Sequence, residues 1–316
     1  MNPRSQKPSP SARVRRTLAG RGHSGRRGPA VGTRRAADGL RRSAARGVLV
    51  PVDDHGTGSV ELTEGWDSAA TLVGGRWIER RPRHPAAADR LRMETRVMPW
   101  LAPRLPLAVP RPHLLRAAPL VVRHALVPGA PTERPTAAHA RQLGTFLRVL
   151  HATDAAAAVD RGLPDAPATV LDRTETVCRF RAAVLPLLPA DLRDPARELL
   201  AGVAECPADT VVHGDLGPEH VLADDSGLTG VIDFSDAHVG DPAIDLAWAL
   251  FGTPAEFAAA LADAYAVSPG LRERALLWHR LGPWYEVLHG VENDRPADVR
   301  SGLDGVMRRL DVPERP

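Results

Sequence analysis

Short segments with strand-like patterns follow one another between residues 60 and 127. Two of them flank a polar connection at 64–68, and Gly74-Gly75 turns the second directly into a third. Closely spaced segments joined by glycine turns are typical of antiparallel hairpins. The predicted strands cover residues 60–63, 69–73, 76–80 and 120–122. This part of the chain is therefore predicted to be a small β-rich region.

One helix interrupts the predicted strands. Residues 86–98 place Leu91, Val97 and Met98 on one side, and Pro99 is expected to end the helix because proline removes a backbone donor. An extended connection should then lead to the apolar strand, because four prolines follow at 103, 106, 110 and 112.

Helical periodicity begins at Thr136, which is placed to cap a helix. Apolar residues then recur at i, i+3, i+4 and i+7, at Leu143, Phe146, Leu147 and Leu150. Asp241 and Pro242 are typical of a helix start, as N-cap and first helical residue. Further helices are predicted over 242–251, 254–266, 270–290 and 297–310. The exceptions are a strand at 210–212 and a hairpin made of 221–223 and 230–232.

The order of these elements predicts an α+β chain with two lobes. Residues 47–127 would form the β-rich N-terminal lobe, and residues 128–316 the larger, mainly helical C-terminal lobe. Residues 1–46 are predicted to be a disordered basic tail, because they are rich in Arg, Gly, Ser and Pro and show no apolar periodicity.

Charge divides the chain in the same way. The tail holds thirteen Lys and Arg against the single acid Asp38, a net charge of +12. From Gly47 onward 28 arginines face 37 acids, so the remainder carries about −9. Arginine clusters in the tail would bind phosphates without specificity. No specific nucleic-acid partner is predicted, because the tail has no aromatic residue to stack on a base.

The two cysteines, Cys178 and Cys206, lie far apart and form no C-x-x-C pair. They predict neither a disulfide framework nor a thiolate metal site, and a reducing cytoplasm is the expected location. The apolar stretches fall short of the roughly 20 residues that span a bilayer, so neither a membrane anchor nor a signal peptide is expected. The protein is expected to be a monomer.

Candidate chemistry is concentrated between residues 212 and 247. A strand delivers Asp215 into a Gly/Pro loop, and the following hairpin has His220 at its start and Asp233 at its end. The two ends of a hairpin lie close together, so these three polar groups are expected to converge.

Phosphoryl transfer requires a set of this kind, because the protein mainly positions groups and neutralises charge. One carboxylate orients or deprotonates the acceptor hydroxyl, which suits Asp215. Another group holds Mg²⁺ on the phosphates, and the carboxylate of Asp233 is a hard oxygen ligand suited to that ion.

Three segments together resemble the aminoglycoside and macrolide phosphotransferase family, whose fold is kinase-like. They are His213-Gly214-Asp215 with His220, Ile232-Asp233-Phe234, and Gly240-Asp241-Pro242 with Asp245-Leu246-Ala247. The resemblance extends from about Glu64 to about Leu310 and implies a two-lobe fold with ATP or GTP and Mg²⁺ in the cleft. It also implies transfer to a hydroxylated small molecule, such as an aminoglycoside or macrolide antibiotic.

The resemblance assigns roles in the C-terminal lobe. Asp215 matches the catalytic aspartate, and Asp233 matches the aspartate that binds the metal. His220 stands where most of the family has a second metal ligand, asparagine, and resembles the macrolide-kinase side of the family. Three further residues would support the catalytic loop, namely His213, Asp241 and Asp245.

In the N-terminal lobe, the segment 76–80 resembles the strand that bears the phosphate-contacting cation, and Glu94 resembles its helical partner. The only lysine of the chain, Lys7, lies in the tail, so that cation must be an arginine, and Arg80 is the candidate. Arginine offers a planar fork instead of a point charge. Leu126, Val127 and Pro128 resemble the interlobe hinge that receives the base.

Several alternatives stay open. Asp241 could serve only as a helix N-cap and Asp245 as a first-turn acid. His213, His220, Asp215 and Asp233 could form a zinc or two-metal hydrolase site, although the spacing of the histidines matches no short metal motif. The chain could also be a kinase of another hydroxylated metabolite, or a silent nucleotide-binding protein, since the usual lysine and asparagine are missing.

The acceptor is not decided by the sequence. Seven of the thirteen aromatic residues fall in the C-terminal helices, where this family builds its acceptor site, and they could equally be core. They are Trp248, Phe251, Phe257, Tyr265, Trp278, Trp284 and Tyr285. Glu286, Glu292 and Asp294 lie beside them, and the acidic balance favours a cationic acceptor.

Overall fold

A six-stranded antiparallel sheet forms the N-terminal part of the protein in a computed structural model, which describes residues 50–52, 59–62, 67–132 and 134–310. Its strands are β1 (Val50–Val52), β2 (Ser59–Leu62), β3 (Ser68–Val73), β4 (Trp77–Pro82), β5 (His113–Ala117) and β6 (Leu120–Ala125). They lie in the order β1-β2-β3-β4-β6-β5. The tail at 1–46 and the connection at 63–66 lie outside the described residues.

The register of the sheet places Arg80 in its interior, opposite Ala70 of β3 and Val122 of β6. Strand β5 was not predicted, because the prolines before it indicated only an extended connection. It begins directly after the last of them, at the edge of the sheet, and all of its residues are exposed. An exposed edge strand buries no apolar face, so it has no burial pattern that could be recognised in the sequence.

Helix α1 (Pro85–Leu101) lies between β4 and β5 and continues through Pro99, which was wrongly predicted to end it. Proline removes one backbone hydrogen bond within a helix. The buried side chains of Val97, Met98 and Leu101 stabilise the turns on both sides of Pro99. Full burial of an apolar side chain contributes about 1.5–3 kcal/mol, enough in combination to offset that loss.

The C-terminal part is mostly helical, as predicted. Its helices are α2 (Ala137–His151), α3 (Ala155–Val159), α4 (Ala166–Arg179), α5 (Arg193–Ala204), α6 (Ala243–Phe251), α7 (Ala255–Tyr265), α8 (Pro269–Glu292) and α9 (Pro296–Leu310). Thr136 caps α2, because its hydroxyl accepts from the backbone N of His139 at 3.2 Å. Within the described residues, no helix has the length and apolar character needed to cross a membrane.

Two small sheets carry the candidate chemistry into the helical part. β8 (Thr210–Val212) pairs with β11 (His238–Gly240), and β7 (Ala130–Pro131), β9 (Val221–Asp224) and β10 (Gly227–Val231) form a second sheet. The β9–β10 pair is the predicted hairpin, so its open ends bring the segments after Gly217 and Val231 together.

One large core joins the two parts of the chain. Val97 and Met98 of α1 pack in the same buried cluster as Leu147 of α2, Val211 of β8 and Leu246 of α6. A small separate cluster of Leu91, Leu120 and Val122 fills the space between α1 and the sheet. Helix α1 is therefore fixed on both sides, and its residue Glu94 lies at the junction of sheet and helices.

Candidate functional site

The loop after β8 is held by backbone hydrogen bonds to one buried carboxylate. Asp245, in the first turn of α6, accepts from the backbone N of His213 through Oδ2 at 2.7 Å. Its Oδ1 accepts from the backbone N of Gly214 at 2.9 Å. Asp245 therefore fixes the two residues that precede Asp215.

Gly214 has to be glycine at this place. Its φ is +87°, in the region that residues with a side chain rarely adopt. A Cβ at Gly214 would also lie 2.2 Å from the carbonyl oxygen of Asp236. The close approach packs the loop of Asp215 directly against the segment that follows Asp233.

His213 is fully buried and ties the same two segments together. Its Nδ1 accepts from the backbone N of Asp215 at 3.3 Å, and its Nε2 donates to the carbonyl of Ile232 at 2.9 Å. Burial lowers the pKa of His213, which agrees with this neutral tautomer. The predicted supporting residue thus contacts the chain on each side of the site.

Asp215 has an exposed position in this loop. Among the described residues, no side chain donates a hydrogen bond to its carboxylate. Although Asp215 is exposed as a residue, the protein atoms around its carboxyl group remove part of its hydration, and this desolvation raises the pKa of Asp215. The charge of His220 opposes the effect, and the negative charge of Asp233 adds to it. A raised pKa brings a carboxylate closer to the range in which it can accept a proton efficiently.

His220 links Asp215 to Asp233. Its Nδ1 donates to the carbonyl oxygen of Asp215 at 2.7 Å, and its Nε2 lies 3.9 Å from Oδ2 of Asp233. Burial by itself lowers the pKa of His220, but the carboxylates of Asp233 and Asp215 outweigh it and raise the pKa above the usual value.

Asp233 lies just after β10 with φ +65°, a left-handed conformation that is uncommon outside glycine. Its Oδ1 accepts from Ser235 Oγ at 2.7 Å and faces Arg80 Nη2 at 3.4 Å. Burial raises the pKa of Asp233, yet Arg80 and His220 together lower it to about 2. This side chain, 42% exposed, therefore presents a permanent negative charge to the cleft.

Arg80 connects the sheet to both helix α1 and the segment after β10. Its Nη1 donates to Oε1 and Oε2 of Glu94, each at 3.1 Å, and its Nη2 donates to Ser235 Oγ at 2.8 Å. Its Nε donates to Ser68 Oγ at 3.0 Å. Burial raises the pKa of Glu94, against the effect of Arg80, because the carboxylate is only 1% exposed.

Two serines at this junction were missed by sequence analysis. Ser68 and Ser235 both orient the Arg80 guanidinium, and Ser235 Oγ also lies 3.0 Å from Glu94 Oε1. Ser235 lies two residues after Asp233, so its position next to the motif could have identified it from the sequence. Ser68 had none, because only the pairing of β3 with β4 brings it beside Arg80.

Asp241 lies apart from the catalytic loop. Its Oδ2 accepts from Arg274 Nε at 3.0 Å and from Trp278 Nε1 at 3.1 Å, both on α8. Its Oδ1 accepts from the backbone N of Ala243 at 3.1 Å. Helix α6 starts at Ala243 with Pro242 as its N-cap residue, so the prediction of Asp241 as N-cap and Pro242 as first helical residue was wrong by one position. Arg274 and Trp278 draw Asp241 toward α8.

The sequence that forms the sheet, the helices and the site matches the model of one protein family. The model of the phosphotransferase enzyme family matches residues 60–282, more than half of the chain. The chain belongs to this family. The residues of the site, from Arg80 to Asp245, all fall within the matched region.

Several of the similar proteins are antibiotic phosphotransferases. Viomycin phosphotransferase of Streptomyces vinaceus is 37% identical over 134 residues, which is 38% of this chain and 46% of that protein. The match thus spans about half the length of that relative. Macrolide 2′-phosphotransferase MphH from Brachybacterium faecium has 28% identity and a TM-score of 0.65, over 88% of this chain and 100% of its own.

A third similar structure, the GDP and kanamycin complex of APH(2″)-IIia, has a TM-score of 0.72 at 22% identity. The similarity covers 86% of this chain and 98% of that one, and at this identity it shows the fold. The kinase-like two-lobe fold predicted from the motifs is confirmed.

The segment predicted to be the interlobe hinge, Leu126 to Pro128, contacts both the sheet and β10. Leu126 donates its backbone N–H to the carbonyl of Arg76 at 2.8 Å, and Val127 is buried. The carbonyl of Pro128 accepts from Thr229 Oγ1 at 2.6 Å. The segment is thus tied to the sheet at one end and to β10 at the other.

The donor set fits Mg²⁺ better than zinc. The described residues contain no group of three His, Cys, Asp or Glu side chains that could hold a metal ion by themselves. Mg²⁺ needs no such cage, since proteins commonly bind it through one or two carboxylates together with substrate phosphates. Asp233 supplies an ionised carboxylate that is open to the cleft, with His220 beside it.

Three of the seven aromatic residues considered for the acceptor are buried, namely Phe251, Phe257 and Trp284. Three more are partly buried and pack against the core, namely Trp248, Tyr265 and Trp278. Tyr285, in contrast, is 48% exposed. Tyr285 packs edge-on against Phe180, with ring centroids 5.1 Å apart. Glu292 forms a surface ion pair with Arg179.

Proposed function

We propose that this chain transfers the γ-phosphoryl group of ATP or GTP to a hydroxyl of an aminoglycoside or macrolide antibiotic. The observation that carries the proposal is the contact of Arg80 with both Glu94 and Asp233, next to His220 and the loop of Asp215. It gathers a fixed cation, an ionised carboxylate and a candidate base where the sheet meets the helices. The antibiotic phosphotransferases among the similar proteins support an antibiotic as the acceptor.

Asp215 is the proposed base. Its carboxylate accepts the proton of the acceptor hydroxyl, whose oxygen then forms a bond to the γ-phosphorus while the bond to the bridging oxygen of the nucleoside diphosphate breaks. The raised pKa of Asp215 and the absence of a cationic hydrogen-bond partner in the described residues suit this role. Asp245 and His213 hold the loop backbone in place.

Arg80 is the proposed contact to the phosphates. Glu94 and Ser68 fix the plane of the guanidinium, so the fork meets the triphosphate without losing rotamer freedom at that moment. The bound metal ion would neutralise phosphate charge, and Asp233, with His220 beside it, would hold it. Leu126 to Pro128 would receive the base.

The choice between acceptors is left to experiment. Kanamycin, viomycin, a macrolide and an amino alcohol are each incubated with ATP and with GTP, with Mg²⁺ present. Mass spectrometry should show the addition of one phosphoryl group to one class of antibiotic, and far less product in the same time with Asp215→Asn.

Other outcomes identify the competing functions. Nucleotide binding without transfer to any acceptor would favour a silent protein, and transfer to the amino alcohol alone a metabolite kinase. Zinc-dependent hydrolysis without triphosphate would favour a hydrolase. A monomeric state and a cytoplasmic location stay predictions.

A further inference from the structure

A chain of buried hydrogen bonds lies behind the catalytic loop, formed by two residues outside the motif segments. The hydroxyl of Tyr265, the last residue of α7, lies 2.7 Å from Nδ1 of His151 at the end of α2. Nε2 of His151 lies 3.0 Å from Oδ2 of Asp245. Asp245 accepts from the backbone of His213 and Gly214, so the chain connects α7 to the residues that precede Asp215.

Each group in this chain has one consistent role. Burial alone raises the pKa of Asp245, but the N–H groups of His151 and His213 outweigh it and lower the pKa, so the carboxylate is ionised. His151 Nε2–H then donates to Asp245, which leaves Nδ1 to accept from Tyr265. Burial and the charge of Asp245 raise the pKa of Tyr265 to about 12, so its hydroxyl remains a donor.

Water has little access to these groups. The side chain of His151 is 5% exposed and that of Asp245 is fully buried. A buried polar group that loses its hydrogen-bond partner destabilises the protein, because no water molecule replaces that partner. Removal of His151 would therefore leave Oδ2 of Asp245 with one donor fewer and no solvent to replace it. Only the backbone N–H groups of His213 and Gly214 would then orient the carboxylate.

Helix packing fixes the position of Tyr265. Gly144 and His151 lie seven residues apart on α2 and thus on one face of the helix. A Cβ at Gly144 would lie 2.9 Å from Cβ of Ala264 and 3.0 Å from the carbonyl of Leu261, so glycine allows α7 to approach closely. Ala266 ends α7 with φ +66°, and the tyrosine ring meets the imidazole edge-on at 5.4 Å.

We propose that His151 and Tyr265 are positioning residues for phosphoryl transfer, which act through Asp245 on the backbone of the catalytic loop. Neither residue has to touch nucleotide or acceptor. Together they keep Asp245 oriented so that His213 and Gly214 hold Asp215 in place. The catalytic readout rests on the proposed function, whereas the effect on the loop backbone does not.

The test uses His151→Leu, His151→Gln and Tyr265→Phe, with Phe257→Leu as the matched control. Phe257 lies on the same helix as Tyr265, is buried in the same core, and packs against Trp248 without joining the hydrogen-bond chain. For each variant, kcat, KM for nucleotide and acceptor, Tm, and amide hydrogen exchange of residues 211–217 are measured.

We expect His151→Leu to lower kcat by about 10- to 100-fold, the range seen when the partners that orient a functional ligand are removed. KM for nucleotide should stay within about twofold, and exchange at the amides of His213 and Gly214 should rise by about tenfold or more. Tyr265→Phe should give a smaller change of the same kind. His151→Gln should recover part of kcat, because its amide can donate to Asp245.

Phe257→Leu should lower Tm without changing kcat or exchange in the loop. The proposal is overturned if exchange at residues 211–217 is unchanged in both His151→Leu and Tyr265→Phe, or if Phe257→Leu loses as much kcat at equal loss of Tm. If His151→Leu does not fold, Tyr265→Phe decides. If the wild-type protein phosphorylates no acceptor, the proposed function fails, and hydrogen exchange alone decides on the positioning residues.

Discussion

The two sides of the candidate site shift the pKa of their carboxylates in opposite directions. On the side of the sheet, Asp233 faces Arg80, Ser235 and His220, and its pKa is lowered to about 2. In the loop after β8, Asp215 faces no cation at hydrogen-bond distance among the described residues, and partial desolvation of its carboxyl group raises its pKa. Environments that push two pKa values apart separate a permanent charge from a proton acceptor. The contrast therefore supports the proposal that Asp233 holds the metal and that Asp215 is the base.

The largest expected effect is loss of the permanent charge. Asp233→Ala should abolish transfer with folding intact, because the phosphate charge is then uncompensated and Arg80 loses one of its partners. Turnover is measured against Mg²⁺ concentration, with circular dichroism to check the fold. Metal-independent turnover, or activity of Asp233→Ala near the wild-type level, would contradict the assignment.

Removal of the base should have the next largest effect. Asp215→Asn should lower kcat by roughly 10² to 10⁴, the span for loss of a general base, and leave the Kd for nucleotide within about twofold. Titration calorimetry measures nucleotide binding, and His220→Asn is the comparison variant. His220→Asn restores the residue usual at that position and should be tolerated far better. An Asp215→Asn protein with wild-type turnover at saturating substrates would remove Asp215 from the mechanism.

The two aspartates should also affect stability in opposite directions. The raised pKa of Asp215 means that folding favours its protonated form, so its contribution to the free energy of unfolding is lost as the pH rises through that pKa. The contribution of Asp233 is present above the ordinary aspartate pKa of about 3.9 and is lost as the pH falls toward 2. At pH 7.5, Asp215→Asn should leave Tm unchanged or higher, and Asp233→Asn should lower it. Thermal melts in which both substitutions change Tm in the same direction would contradict this prediction.

A smaller effect is expected at the buried partner of Arg80. Glu94→Gln should raise KM for nucleotide by about tenfold, because Arg80 loses the charged partner that fixes its guanidinium. Glu79→Gln is the matched control. Like Glu94, Glu79 is a buried glutamate, but it lies on β4 and pairs with Arg81 and Arg123 instead of Arg80. Denaturant unfolding and nucleotide kinetics are measured for both. Equal rises in KM for the two variants would contradict the idea that Glu94 acts on nucleotide binding through Arg80.

The smallest effect is expected from the tail. Deletion of residues 1–46 should leave Tm and turnover nearly unchanged, because the segment has no apolar periodicity with which to join a core. The truncated and full-length proteins are compared by thermal melting and by kinetics at equal concentration. Loss of soluble enzyme on truncation would count against the prediction.

Local patterns in the sequence were enough for four strands of the large sheet, for helices α1 and α2 and those after residue 242, and for the convergence of Asp215, His220 and Asp233. Strands β1, β5, β7 and β11 were not predicted. The three site residues lie within one hairpin and the loop before it, so short-range geometry decides their proximity. Thr136 was likewise found from its position before a helical pattern. In these cases the physical cause lies within a few residues of the effect.

Features that depend on distant packing could not be predicted in this way. Pro99 stays inside α1 because the core holds the turns around it, and β5 forms only because β6 offers its edge. Ser68 reaches Arg80 across a strand pair, and Tyr265 reaches His151 across two helices. No local pattern marks these contacts, since each depends on tertiary proximity.

The guanidinium of Arg80 also determines which covalent reagents can react at the site. A lysine in its place would offer an amine that acylating or aldehyde-bearing nucleotide analogues can capture covalently. Arginine remains protonated at every working pH, and its pKa is raised further here, because the carboxylates of Glu94 and Asp233 outweigh the effect of burial. Amine-directed probes should therefore label Lys7 and the terminal amine and leave the candidate site unmodified.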